Sequence, residues 1–231
     1  MSSGEYRFEA REVLQGKWGK GALIILAYLA FYFVINLVLG LFLPESIFDL
    51  IDIVISVPIQ MGIIVSFFKL YEDPQVGAFD FVNSAISNFG KSWGIAFYTI
   101  LKLFIPILIL VISSILIAVC AIGGNGALLT IIGVIILGDS IYLTLKSYYY
   151  QLAYIVSADN PEYTSKEAVE KSETLMKGNR WNLFCLQFSF IGWAFLSVFT
   201  LGIGFLWLIP YTQVAMISFY KNISNSTNKR E

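Results

Sequence analysis

The chain has no histidine. Histidine carries the proton-transfer chemistry available near neutral pH and is the commonest metal ligand, so its absence removes the usual general base and the usual metal site. Two cysteines occur, Cys120 and Cys185. They fall at opposite ends of the spans described below, too far apart to bridge. Neither has a basic or metal-ligating neighbour in sequence. Charged residues make up 13% of the chain, against about a quarter in a soluble domain. The net charge is −1, which provides no basic field for nucleic acid. A nucleophile elbow, a phosphate loop and a dinucleotide fingerprint are also missing. No catalytic residue, cofactor or metal site is therefore assigned, and an enzyme is not expected.

What is abundant is apolar sequence. The chain is 57% hydrophobic, with a mean hydropathy of +0.73. Crossing the hydrocarbon core takes about 20 residues in a helix. Six spans are predicted, near 21–43, 47–70, 94–119, 128–157, 182–199 and 203–220. The first run has 23 residues, longer than the roughly 7–15 of a cleaved signal. The stretch 183–220 is nearly uncharged and long, and paired glycines in Thr200-Leu201-Gly202-Ile203-Gly204 mark its turn. The competing arrangement has five spans, with 183–220 holding one span and a re-entrant piece.

Each odd-numbered span starts from a tryptophan beside a glycine and a cation. The three feet are Gly16-Lys17-Trp18, Gly90-Lys91-Ser92-Trp93 and Gly178-Asn179-Arg180-Trp181. An indole settles at headgroup depth and a cation faces phosphates, so Trp18, Trp93, Trp181, Lys17, Lys91 and Arg180 are interface anchors. The even-numbered spans share Gln, apolar, small, apolar, Ile at Gln60–Ile64, Gln151–Ile155 and Gln213–Ile217. One integral membrane domain over 1–231 is expected, with internal repeats near 5–72, 77–160 and 164–221. Chance recurrence in low-information apolar sequence is the competing explanation. The fold class is an all-α polytopic bundle of three hairpins, each preceded by a cytoplasmic amphipathic helix. Residues 222–231 form a disordered tail.

Charge distribution sets the orientation. The segments assigned to the inside hold 13 of the 15 Lys and Arg residues, and the three outer turns hold none. Both termini are thus placed in the cytoplasm. Two inner loops carry short helices. Thr164 and Glu167 match a capping box that starts a helix near Ser165, and Gly178 ends it. Its apolar side is Ala168, Val169, Ser172, Leu175 and Met176. In the 73–92 loop the corresponding side is Phe79, Val82, Ile86 and Phe89. These sides face lipid, or pack on the bundle as connectors.

The remaining charges lie within apolar runs, where they are costly and turn inward. Lys102 and Lys146 are placed near mid-membrane, Asp139 near the outer end of its span and Asp52 one turn in from that end; one arrangement pairs the two lysines with these aspartates inside the bundle. Such a cluster is a ligand or ion site, or a structural pairing. Gln60, Gln151 and Gln213 join helices by hydrogen bonds or line a polar cavity.

The block Leu175-Met176-Lys177-Gly178-Asn179-Arg180-Trp181, continuing through Gly192-Trp193, Thr200–Gly204, Trp207 and Pro210-Tyr211, resembles the bacterial integral membrane family catalogued as domain of unknown function 975. The opening Glu9-Ala10-Arg11 to Gly16-Lys17-Trp18 resembles that family's N-terminal signature. The resemblance implies a multi-pass protein of the bacterial plasma membrane and supplies no activity, substrate or catalytic residue. Two functions are expected from the residues: binding of membrane lipids, a peptide or a partner protein, or a small transporter or channel component.

Overall fold

The computed structural model describes residues 1–73, 75–123 and 126–228, and among them every regular element is helical. In chain order these are α1 Ser3–Leu14, α2 Trp18–Phe42, α3 Glu45–Glu72, α4 Asp80–Ser87, α5 Phe89–Ile122, α6 Gly126–Ser147, α7 Ala153–Asp159, α8 Ser165–Met176, α9 Arg180–Phe188, α10 Ile191–Phe199 and α11 Phe205–Asn228. Five stretches are long and apolar enough to cross a membrane: Trp18–Phe42, Ile47–Glu72, Phe89–Ala121, Gly126–Asp159 and Arg180–Phe199. The expected sixth span, 203–220, falls in α11, which is not among them. Pro210, Tyr211, Thr212 and Gln213 dilute its apolar run.

Packing is concentrated at one end. Tyr6, Leu14, Phe67, Leu70, Ile95, Leu152, Val156, Leu175 and Phe219 belong to one buried cluster drawn from α1, α3, α5, α7, α8 and α11. We call this the proximal end; there Lys17 reaches Leu70, and Lys221 reaches Glu72 and Asp159. The distal parts of α2, α5 and α6 are bare. Phe33, Leu41, Phe42, Ile105, Val119, Val134 and Leu137 are all exposed. A soluble protein would not leave so much apolar side chain in water. Helices this long and this apolar on the outside are compatible with a multi-pass membrane protein.

Two expected spans are interrupted. The span 128–157 ends as α6 at Ser147, passes through a 3₁₀ turn at Tyr148–Tyr150, and resumes at Ala153. Ser172 of α8 donates to the Tyr149 carbonyl at 2.8 Å, satisfying a group at this break. The span 182–199 breaks at Ser189 and Phe190, where Arg7 donates to the Ser189 carbonyl at 3.5 Å. In both places the donor comes from a distant segment, so an apolar run alone carries no sign of the break.

The loop helices differ from one another. Helix α8 begins at Ser165 with the reciprocal Thr164–Glu167 capping box in place. Its apolar side does not face lipid: Ala168, Val169, Ser172, Leu175 and Met176 are all buried against the core. On α4, Phe81 and Ala85 pack against α3, where Gly62 has no side chain and lets the Phe81 carbonyl approach. Phe79, Ile86 and Phe89 stay exposed. Helix α1 buries Tyr6, Ala10 and Leu14.

Candidate functional site

The three tryptophan feet do three different things. Trp93 of α5 donates its indole N–H to the Val54 carbonyl of α3 at 3.4 Å. Trp18 is half-buried and packs on Tyr211 of α11, ring centroids 5.9 Å apart. Trp181 is 70% exposed. It stacks on Phe184 at 5.1 Å, which stacks on Phe188 at 5.9 Å. Positions 181, 184 and 188 share one helix face, so α9 presents an uncovered aromatic ridge while Leu183 and Leu186 are buried behind it.

The cations of the feet bind protein groups. Lys17 donates to the Leu70 carbonyl at 2.9 Å, near the end of α3. Lys91 donates to the Pro161 carbonyl at 2.9 Å and to the Asn160 carbonyl at 3.4 Å, just past α7. The Leu70 carbonyl is one that a helix end leaves without an intrahelical donor, whereas Asn160 and Pro161 belong to the turn after α7, where Asn160 also accepts from the Tyr163 N–H. Arg180 lies over the Tyr149 ring, 4.3 Å from its centroid.

The structure does not join Lys102 and Lys146 to Asp52 and Asp139. Helices α5 and α8 lie side by side, which brings Glu173 to Lys102 at 3.1 Å. The Lys102 side chain is 42% exposed, so it sits at the flank of the proximal core. Asp52 accepts from the Tyr32 hydroxyl, a partner on α2. Lys146 lies 5.8 Å from the centroid of the Tyr142 ring, one turn back on its own helix. Asp139 keeps a buried carboxylate oxygen, Oδ2, without a hydrogen-bond partner.

The three glutamines are also apart. Gln60 and Gln151 are exposed and Gln213 is half-buried. Among the described residues no hydrogen bond links any two of them. Gln151 instead accepts from Gln187 at 3.1 Å, and Gln187 accepts from the Tyr148 hydroxyl at 2.9 Å. Gln187 thus ties the break at Tyr148–Leu152 to the neighbourhood of the break at Ser189–Phe190. The sequence reading passes over Gln187 because it lies outside the shared glutamine pattern.

Two grooves combine an arginine with aromatic walls. One, of about 380 Å³, is bordered by Arg11, Trp18, Trp193, Trp207, Leu208 and Tyr211. The other, of about 450 Å³, is bordered by Leu145, Tyr148, Gly178, Arg180, Trp181 and Phe184. Both volumes fall in the range of roughly 300–1,000 Å³ typical of small-ligand sites. Sequence reading finds Trp18, Arg180 and Trp181 from their interface pattern. It misses Arg11, Trp193, Trp207 and Tyr211 as a set, because three separate helices, α1, α10 and α11, bring them together.

Comparison with curated proteins and with solved structures gives no match. A family model described as a protein of unknown function, DUF975, matches residues 1–227. With nearly its whole length matched, the chain belongs to the DUF975 family.

Proposed function

We propose that this protein is a non-enzymatic component of the bacterial cytoplasmic membrane that binds lipid of the cytoplasmic leaflet through its proximal helices. The observation that carries this reading is the α9 ridge of Trp181, Phe184 and Phe188, with Arg180 beside it and a groove behind it. A cation next to exposed aromatics suits a phosphate above an acyl boundary. Both termini lie on the cytoplasmic side in this reading, following the distribution of Lys and Arg. An origin from three repeated units is part of it. Lys17 and Lys91 support that origin, since each holds carbonyls near the end of its own unit's second helix.

The test is lipid-dependent stability. Purified protein in mild detergent is titrated with phosphatidylglycerol and, separately, phosphatidylcholine. A ligand that binds the folded state raises the unfolding midpoint by mass action. Phosphatidylglycerol should raise it more, and Arg180→Gln with Trp181→Ala should remove most of the difference. Equal effects of the two lipids, unchanged in the variants, would reject the reading in favour of a peptide or protein partner.

A second reading, a small transporter or channel component, draws on one observation. Gln187 bridges two interrupted membrane helices, and such interruptions line substrate sites in transport folds. Liposome flux assays on Gln187→Leu and Asp139→Asn decide it. Flux that the variants abolish without loss of folding would favour this reading over lipid binding.

A further inference from the structure

The hairpin of α10 and α11 is short. Gly21, near the base of α2, abuts Pro210 of α11, and a Cβ on Gly21 would lie 2.9 Å from the Pro210 Cβ. Lys221, further along α11, pairs with Glu72 at the proximal end of α3. Helix α11 therefore runs from its tip towards the proximal end, while α2 leaves that end. The tip at Gly204 is six residues from Pro210, which is about 9 Å at the helical rise of 1.5 Å per residue. From Gly21, α2 continues to Phe42, about 31 Å. The hairpin stops about a third of the way along its neighbour.

The tip is built for lipid. Phe199, Leu201 and Ile203 are 71%, 94% and 58% exposed. No charged residue occurs between Trp181 and Tyr220. In hydrocarbon, backbone groups must be satisfied within the protein. The tip does this: Gly202 N–H donates to the Ser197 carbonyl, Ile203 N–H to the Thr200 carbonyl, Phe205 N–H to the Gly202 carbonyl, and Gly204 N–H to the Thr200 hydroxyl. Leu201 and Gly202 take φ of 53° and 86° to close the turn. Glycine does so freely; Leu201 is strained there.

The groove between this hairpin, α1 and the base of α2 then lies at the depth of one leaflet. Its walls are Trp18, Trp193, Leu196, Trp207 and Leu208, and the charge on its border, Arg11, comes from the last turn of α1. Arg11 makes no ion pair among the described residues. Arg7, one turn earlier, lies with Arg11 within electrostatic reach of the Tyr211 hydroxyl. The combination is one cation at the proximal border and an aromatic slot leading into the bilayer.

We propose that α10 and α11 form a re-entrant hairpin, and that its groove holds one anionic glycerophospholipid of the proximal leaflet. The phosphate sits on the Arg11 guanidinium, whose planar donors match phosphate oxygens. One acyl chain runs between Trp193 and Trp207. This rests on the lipid reading above but names a separate site, remote in sequence from Arg180 and Trp181.

Native mass spectrometry of the detergent-purified chain tests it, with phosphatidylglycerol and phosphatidylcholine as probes. In an Arg180→Gln, Trp181→Ala background, which removes the α9 site, one tightly retained phosphatidylglycerol is expected, with phosphatidylcholine, whose choline offsets the phosphate charge, held about fivefold more weakly. In that background Arg11→Gln should lose the preference and Arg11→Lys should keep part of it. Equal retention of both lipids, an unchanged Arg11→Gln variant, or a peptide in place of lipid overturns the site. If only Arg11→Gln fails to act, the α9 reading survives. The hairpin is tested separately with Leu201→Cys in a Cys120→Ser, Cys185→Ser background. A membrane-impermeant maleimide should not label the tip from either side of an intact membrane. Labelling from the side opposite the termini overturns the re-entrant geometry.

Discussion

The Trp93 indole N–H donates to the Val54 carbonyl, and Val54 lies four residues before Pro58 within α3. A helical carbonyl normally accepts from the residue four positions later, and proline has no N–H to give. Trp93 supplies the donor that Pro58 withholds. The indole of the second foot therefore serves helix packing, by binding a carbonyl of a neighbouring helix.

A cycle checks this pairing. Trp93→Phe should lower stability by about 1 kcal/mol, the net worth of one hydrogen bond. In a Pro58→Ala background the backbone N–H returns, so the same change should have a smaller effect. Unfolding midpoints of the four proteins in one detergent measure the coupling. Equal effects in both backgrounds would show that the indole contact is incidental.

Lys17 and Lys91 should behave as helix-end donors. Lys17→Met keeps most of the stem and removes the ammonium that holds the Leu70 carbonyl. A loss of about 1 kcal/mol is expected for a partly exposed charge-assisted bond. Hydrogen exchange at the end of α3 should quicken in Lys17→Met, and past α7 in Lys91→Met. Unchanged exchange at those positions would contradict the assignment.

The Lys102–Glu173 pair is modest. With side chains 42% and 28% exposed, it should contribute about 0.5–1 kcal/mol. Lys102→Met and Glu173→Gln should each destabilise slightly, the double variant should show coupling, and high salt should shrink it. A large, salt-insensitive loss in Lys102→Met alone would instead indicate a buried functional cation.

The Thr164 cap links α8 to pH. The Thr164 backbone N–H, and then its hydroxyl, bond the Glu167 carboxylate and hold its pKa below the ordinary carboxylate value. A group depressed in the folded state stabilises above its unfolded pKa and loses that contribution as pH falls through the folded one. Helix α8 should therefore fray on acidification below the ordinary Glu range. Thr164→Ala should cost about 1 kcal/mol near neutral pH. Amide protection factors over 165–168, corrected for intrinsic exchange at each pH, measure both, and protection that does not change with pH would refute the linkage.

Two glycines should respond in opposite ways. A Cβ on Gly62 would collide with the Phe81 carbonyl, so Gly62→Ala should displace α4 and sharply reduce folded yield. Gly192 has open space around its Cβ position within α10, so Gly192→Ala should be neutral or stabilising by up to about 1 kcal/mol. Folded yield and unfolding midpoint distinguish the two. Equal tolerance at both sites would mean that α4 is not seated on α3.

Much of the architecture is legible in the chain. Apolar run lengths mark the membrane class because about 20 residues are needed to cross hydrocarbon. The capping box at Thr164 and Glu167 and the glycine turn at 200–204 are local chemistry, and both occur where the residues predict. Folding decides which apolar faces meet protein and which stay uncovered, because Leu175 on α8 and Leu137 on α6 look alike until a neighbour covers one of them. It also decides the partners of the charges. Lys102 meets Glu173 rather than an aspartate because α8 folds back along α5, a contact between residues 71 apart in the chain. Arg11, Trp193 and Trp207 border one groove because α11 packs against both α1 and α10, again a meeting of distant segments. Local sequence sets helix, cap and turn through short-range bonding, whereas a site built from distant segments exists only after the long-range packing has formed.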